Sequence, residues 1–266
     1  MHEPDFDVAG RTAIVTGASQ GIGQAIAETL AASGANVAIC SRSMDRVGPV
    51  AEGINEAADA GEAIAVECNV RERDQVQALV DDTVDEFGDV DILVNNAGGE
   101  FVAPFADISA NGWKTIVDLN LNSTVHCTQL AGAVMREGSG GVIINLSSVN
   151  GQHAAPGESH YGASKAAIIN LTETLATEWA EDGIRVNCIA PGLIQTPGVA
   201  DTLGIDSEAM PPREEPDRRI GHAAEIADVV QFLASPAASF MTGETVTVKG
   251  VPRAGNSMSQ DLGLED

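Results

Sequence analysis

The chain has 266 residues, 44% hydrophobic and 20% charged, which is enough apolar material for a sizeable core and unlike a disordered chain. Its 39 acidic and 14 basic residues leave a formal net charge of −25. That balance excludes nucleic acid as a partner, because phosphate binding needs clustered Lys and Arg. No run of about 18 apolar residues occurs, so no membrane span is expected. The acidic start, Met1 to Asp5, lacks the apolar stretch of a secretory signal, and a cytoplasmic location is expected. Cys40, Cys68, Cys127 and Cys188 form no C-x-x-C pair and sit in apolar stretches, so buried free thiols are expected instead of a disulfide frame or a metal site. The acids spread along the whole chain, a halophile-like balance. Their mutual repulsion predicts a fold that needs molar salt, where the Debye length falls to about 3 Å.

Short apolar runs alternate with longer periodic ones. Residues 11–17 (RTAIVTG) read as a strand. Residues 21–33 read as a helix with Ile22, Ile26 and Leu30 at i, i+4, i+8, stopped by Gly34. Then come strand 35–40, helix 45–60, strand 63–68 and helix 71–87, whose Val76, Leu79, Val80 and Val84 share a face. Strand 90–94 follows, then one long helix over 112–135, strand 142–146, helix 159–180, strand 184–189, helix 222–234 and strand 244–248. Strict alternation with nearly all-apolar strands implies a parallel sheet covered on both faces. The expected fold is α/β: a single-domain Rossmann fold over 1–266, doubly wound and seven-stranded, in the order 3-2-1-4-5-6-7. Residues 192–221, rich in Pro and charge, read as a lid-like loop, and residues 250–266 as an irregular tail.

Thr16, Gly17, Ala18, Ser19, Gln20, Gly21, Ile22 and Gly23 join the first strand to the first helix. Glycines there let the backbone turn and approach a ligand, and the helix start offers N–H groups and positive potential to a pyrophosphate. After the second strand stand Ser41 and Arg42, with no acid at the tip. A carboxylate there binds a ribose 2′-hydroxyl, whereas Arg accommodates a 2′-phosphate. The reading favours NADP(H). NAD(H), with Arg42 stacked on adenine, stays open, and Gln20 is not a basic residue that would add to the case.

Tyr161 and Lys165 form Y-x-x-x-K, and residues i and i+4 share a helix face. The ammonium near the phenol, together with the positive ring of a bound cofactor, predicts a lowered tyrosine pKa, a drop of two to three units requiring about 3–4 kcal/mol.

The T-G-x-x-x-G-x-G loop together with Y-x-x-x-K resembles the short-chain dehydrogenase/reductase family over about residues 8–250. The resemblance implies hydride transfer between a nicotinamide and a carbonyl or alcohol, with Tyr161 moving the proton and Lys165 holding the ribose. It implies that Ser148, not Ser147, holds the substrate oxygen and that Asn120 matches the family's catalytic Asn, with Asn122 its rival. It implies that Asn95, Asn96, Ala97 and Gly98 brace the sheet and line the adenosine side. Asn69 and Val70 would touch adenine, although many relatives carry Asp where Asn69 stands. Pro191, Gly192, Ile194 and Thr196 would wall the nicotinamide. A homodimer or homotetramer through the helices 112–135 and 159–180 is also implied. The last strand ends in Val248, Lys249, Gly250 and Val251 where many relatives have V-D-G-G, which puts the packing of that strand in question.

Other groups read as structural. His126, His153, His160 and His222 lack ligand spacing, and His160 is expected at the surface of a helix start. Arg213, Arg218 and Arg219 are interleaved with acids and read as a solvated loop. The branch most resembled is that of 3-oxoacyl and enoyl-thioester reductases. Reduction of a ketone or 3-oxoacyl thioester ranks first. A trans-2-enoyl-CoA reductase, a glucose-type sugar dehydrogenase and a non-catalytic NADP-binding sensor or scaffold remain alternatives.

Overall fold

The computed structural model describes residues 5–57, 61–199, 213 and 219–251. Seven strands form one all-parallel sheet in the order β3-β2-β1-β4-β5-β6-β7, as the alternation predicts. They are β1 (Thr12–Thr16), β2 (Asn36–Ser41), β3 (Ala63–Glu67), β4 (Ile92–Asn95), β5 (Gly141–Leu146), β6 (Ile184–Pro191) and β7 (Thr245–Val248). The helices are α1 (Gly21–Ala32), α2 (Met44–Glu56), α3 (Arg73–Phe87), α4 (Ala110–Val117), α5 (Ser123–Glu137), α6 (Ser159–Glu178) and α7 (Ala223–Ala234).

Strand side chains alternate between faces, and the two faces feed separate cores. Ala13 and Val15 of β1 pack with Ile26 and Leu30 of α1, Val47 of α2, and Val230 and Leu233 of α7. Ile14 points the other way, with Val76 and Leu79 of α3, and Cys127, Ala131 and Met135 of α5. The four cysteines are buried and free. Leu93 of β4 is fully buried, and its truncation to Ala costs about 2–5 kcal/mol through lost burial and a cavity. Val248 pairs with Pro191, so the departure at Lys249 leaves the last strand in register.

The expected helix 112–135 differs in detail. It starts at Ala110, where the Ser109 side chain accepts from Gly112 N–H, and a π-helical turn, Asp118–Asn122, divides it. The insertion spans only five residues, too few to show in a periodicity. Such turns gather at functional sites, and this one carries Asn120. No helix among the described residues is long and apolar enough to cross a membrane. Most of the predicted lid, 200–212 and 214–218, and the tail from 252 onward lie outside the described residues.

Candidate active site

β1 and β4 are sheet neighbours. Their chains leave toward opposite sides, which opens a crevice beyond the strand ends. The crevice is built mainly from backbone. Gly17 has φ +68°, and a Cβ there would stand 2.8 Å from Ala97 Cα. A Cβ at Gly23 would lie 2.5 Å from the Gly17 carbonyl oxygen. Thr16 Oγ1 accepts from the N–H groups of Asn96 and Ala97, both at 3.0 Å, and Asn96 Nδ2 donates to the Thr16 and Gly17 carbonyls at 2.9 and 3.1 Å. Neighbouring Asn95 donates to Thr128 and to Asn145, which donates to Thr172, so buried amides lock β4, β5, α5 and α6 together. The start of α1 has no side-chain cap at Gln20 and no acid in its first turn. Its orphan N–H groups and positive dipole end stand ready for an anion. The close glycine loop and this uncapped helix start fit a dinucleotide pyrophosphate, with half-buried Ser19 and Gly21 beside it.

A cavity of about 610 Å³ opens next to that loop. Ile22, Asn96, Gly98, Pro191, Gly192, Ile194 and Thr196 line it, and so do Ser148, Tyr161 and Lys165. Tyr161 is the chain's one tyrosine. Lys165 is buried; its ammonium donates to the Leu146 carbonyl at 2.8 Å and lies 5.4 Å from the Tyr161 ring centroid. Ser148 follows β5; its hydroxyl accepts from Asn150 N–H at 3.1 Å and lines the cavity with the Tyr161 phenol. The Ser147 hydroxyl is engaged elsewhere, donating to the Lys165 carbonyl at 2.8 Å, which agrees with choosing Ser148. Asn120 is fully buried; its Nδ2 donates to the Gly99 carbonyl at 2.8 Å and to that of Ile116 at 3.0 Å. A Cβ at Gly98 would meet Asn120 Oδ1 at 2.7 Å and Lys165 Nζ at 3.5 Å, so glycine lets the amide and the ammonium stand close. Rival Asn122 instead donates to Asp118.

The other predicted cofactor residues lie outside the cavity lining, toward the open adenosine side. Arg42 is exposed at the end of β2. The Ser41 hydroxyl donates to the Ser43 carbonyl at 2.9 Å and accepts from Ser43 N–H at 3.2 Å. It is therefore engaged within its own turn. Asn69 Oδ1 accepts from Arg71, and Val70 is buried in the core.

A family model described as enoyl-(acyl carrier protein) reductase matches residues 17–250. The chain is 40% identical to a 3-oxoacyl-[acyl-carrier-protein] reductase of Synechocystis, over 91% of this chain and 97% of that protein. It is equally identical, at 40%, to a cis-4-hydroxycyclohexanecarboxylate dehydrogenase of Sinomonas cyclohexanicum, over 91% and 96%. Among solved structures it resembles a 7α-hydroxysteroid dehydrogenase complexed with NADH and 7-oxoglycochenodeoxycholic acid. That match has a TM-score of 0.85 and 35% identity, over 95% of this chain and 99% of that one. The chain belongs to the short-chain dehydrogenase/reductase family. This dehydrogenase/reductase is an NAD(P)-dependent oxidoreductase, and its residues fit the nicotinamide cofactor that the family uses.

In the free enzyme, the surroundings of the phenol oppose the effect of the lysine. The Tyr161 phenol is pushed up from its ordinary value, not down. Burial is the largest cause, followed by the Glu100 carboxylate; the Ser148 hydroxyl opposes them and Glu158 adds to them. The ammonium, over the ring at 5.4 Å from its centroid, does not reverse this direction. Lys165 itself is pulled down to about 8 by burial, partly offset by Cys188 and Glu100. Glu100 is pushed up to about 7, first by burial and then by the charge and hydrogen bond of Glu158.

Residues that sequence reasoning missed cluster on the substrate side. Glu100 and Glu158 line the cavity. His160 is fully buried, not at the surface: its ring stands edge-on to Phe101 at 4.3 Å, and its Nδ1 accepts from Tyr161 N–H. Arg46, in the first turn of α2, donates to Gln20 Oε1 and brings a guanidinium to the glycine loop. Exposed His153 lines the cavity. Of the lid arginines, Arg213 pairs with Asp228 and Arg219 with Glu225, which suits a structural role.

Proposed function

We propose that the enzyme reduces a ketone or 3-oxoacyl thioester to the alcohol, using NADP(H). The observation that carries this reading is the convergence of Ser148, Tyr161 and Lys165 in one cavity beside the uncapped start of α1. Gly17, Ser19, Gln20, Gly21, Ile22 and Gly23 cradle the pyrophosphate, and Asn69, Val70, Asn96, Ala97 and Gly98 flank the adenosine. Pro191, Gly192, Ile194 and Thr196 wall the nicotinamide. When bound, the reduced cofactor supplies a hydride to the carbonyl carbon.

Ser148 donates to the substrate oxygen and stabilises its developing charge. Tyr161 gives that oxygen its proton; a phenol held protonated by burial and Glu100 is suited to the acid role. Lys165 holds ribose hydroxyls beneath the phenol, and Asn120 keeps the lysine's surroundings fixed. Arg42 and Arg46 favour the 2′-phosphate of NADP(H) through charge-assisted forks. Glu67, the acid at the end of the strand beside β2, is engaged in accepting from Met44 N–H at 3.0 Å. NAD(H) remains the alternative dinucleotide. Four buried free thiols suit a reducing, cytoplasmic compartment. Exposed Ala163 and Ala166 on α6 suit close helix packing in a homodimer or homotetramer.

The test is a set of initial rates in 2 M KCl with NADPH and NADH against acetoacetyl-CoA, crotonyl-CoA and a simple ketone, plus glucose oxidation in reverse. The expected result is carbonyl reduction, with kcat/KM at least tenfold higher for NADPH. Turnover of crotonyl-CoA alone moves the assignment to enoyl reduction, and turnover of glucose alone to sugar oxidation. Tight NADPH binding without any turnover points to a sensor.

A further inference from the structure

The cavity has two chemically unlike walls. Pro191, Gly192 and Lys249 come from the β6–β7 edge. Opposite in sheet order, the loop after β4 supplies Glu100 and the residue before α6 supplies Glu158. Both carboxyl groups line the same cavity as Ser148 and Tyr161. Glu158 is only 9% exposed and is held by a hydrogen bond from Asn150 Nδ2. Glu100 lies within hydrogen-bonding reach of Glu158.

This wall is rich in acceptors. Two carboxyl groups offer about eight lone-pair sites. Among the described residues, the bonds identified to them are the Asn150 donor and the contact between the two groups themselves. The charged and titratable neighbours offset it only in part, the Lys165 charge acting on Glu100. The Lys165 ammonium donates to the Leu146 carbonyl, Tyr161 is a phenol, and His153 is exposed at the rim. Arg219 is paired with Glu225, and Lys249 belongs to the far wall. Two carboxyl groups on one wall bring negative potential to that side of the cavity.

We propose that Glu100 and Glu158 are specificity-determining residues: they accept hydrogen bonds from a hydroxyl or amide N–H close to the reacting carbonyl and repel a substrate carrying an anionic group there. The inference rests on the reading of Ser148 and Tyr161 as the reaction centre. It admits a thioester whose phosphates lie many bonds from the carbonyl. It disfavours short oxo-acids.

Three probes of similar size separate the effects: acetoin, a neutral hydroxyketone; 2-butanone, neutral without a donor; and acetoacetate, an anion. Each is reduced with NADPH by wild type, Glu100→Gln, Glu158→Gln and the double variant. Wild type is expected to prefer acetoin to 2-butanone, and 2-butanone to acetoacetate. The double variant is expected to raise the acetoacetate to 2-butanone ratio of kcat/KM at least tenfold, chiefly through KM, and to lower the acetoin to 2-butanone ratio. Should Glu158→Gln fail to fold, Glu100→Gln alone carries the test, with a change of at least threefold expected. Both ratios staying within twofold of wild type, while 2-butanone is still reduced, overturns the inference and leaves the functional reading intact. Wild type reducing none of the three, while still binding NADPH by fluorescence, overturns the functional reading and this inference with it.

Discussion

The two rims of the cleft are made in different ways. On the cofactor side the contacts are set by backbone: a glycine at φ +68° against Ala97, a glycine with no room for a Cβ beside the Gly17 carbonyl, and the bare start of α1. On the substrate side they are set by side chains, with Glu100 from the loop after β4 lining the cavity beside Glu158 and Tyr161. A backbone cradle tolerates almost no change and serves one ligand shape. A side-chain wall can be rewritten without disturbing the fold, so it is where enzymes sharing one cradle come to differ.

The largest expected effect lies on the seam between the rims. Tyr161→Phe removes the proton donor while keeping the ring over Lys165, and kcat should fall at least about a hundredfold, within the usual range for a general acid. Activity above a tenth of wild type removes Tyr161 from the reaction. Because no other tyrosine exists, phenolate absorbance reports this group alone. In the free enzyme it should ionise above the ordinary value of about 10. Glu100→Gln should move that titration down, since it removes the largest charge that opposes ionisation. A titration unmoved by the substitution separates the two rims where the structure joins them.

On the cofactor side, Arg42→Ala should raise KM for NADPH about tenfold, roughly 1.4 kcal/mol, and leave KM for NADH nearly unchanged. Arg46→Ala should do the same more weakly, because its guanidinium already donates to Gln20. Equal losses for both dinucleotides place neither arginine at the 2′-phosphate.

How much of this was legible in the sequence follows the same division. Backbone features are local, and they leave local signatures. The glycine spacing, the Y-x-x-x-K helix and the strict βα alternation gave the order of all seven strands and the crevice at their ends. Side-chain walls are long-range. Glu100 and Glu158 are far apart in the chain and share no spacing rule; only β4 and α6 bring them together. Arg46 reaches Gln20 because α2 begins next to the glycine loop. His160 read as a surface residue because burial of a polar ring depends on Phe101, a residue from another segment. The π-helical turn that carries Asn120 is five residues, too short to show in apolar spacing. The same holds for the free Tyr161 phenol: the i+4 lysine was visible in sequence, and the opposing burial and Glu100 were not.

Salt distinguishes charge on the outer surface from charge in the wall. Asp74, Asp81, Asp82, Asp85 and Glu86 stand exposed along α3, and their mutual repulsion is screened as the Debye length falls. Moving from 0.1 to 2 M KCl should raise Tm by roughly 5–10 °C, the equivalent of a few kcal/mol in a chain of this size. Identical melting temperatures defeat the halophile-like reading of the composition. The preference against acetoacetate should change less over the same range, because Glu158 is buried and is screened less than surface charge.

The smallest expected effect is the stability cost of the wall itself. Glu100 has an ordinary value of 4.5 and is pushed up to about 7 in the folded chain. Between those values the folded state binds more protons than the unfolded one, so this group makes folding progressively less favourable as pH rises. The cost is absent below about pH 4.5 and complete above about 7. Glutamine carries no charge to bury. Glu100→Gln should therefore melt close to wild type at pH 4.5 and above it at pH 8. Glu100 sits at an exposed cavity mouth, where solvent screens much of the interaction, so the gain should be about 2 °C. A variant that is less stable than wild type at pH 8 makes Glu100 a structural support. One that is more stable there, yet has lost discrimination against acetoacetate, has a carboxylate retained for the substrate at the expense of the fold.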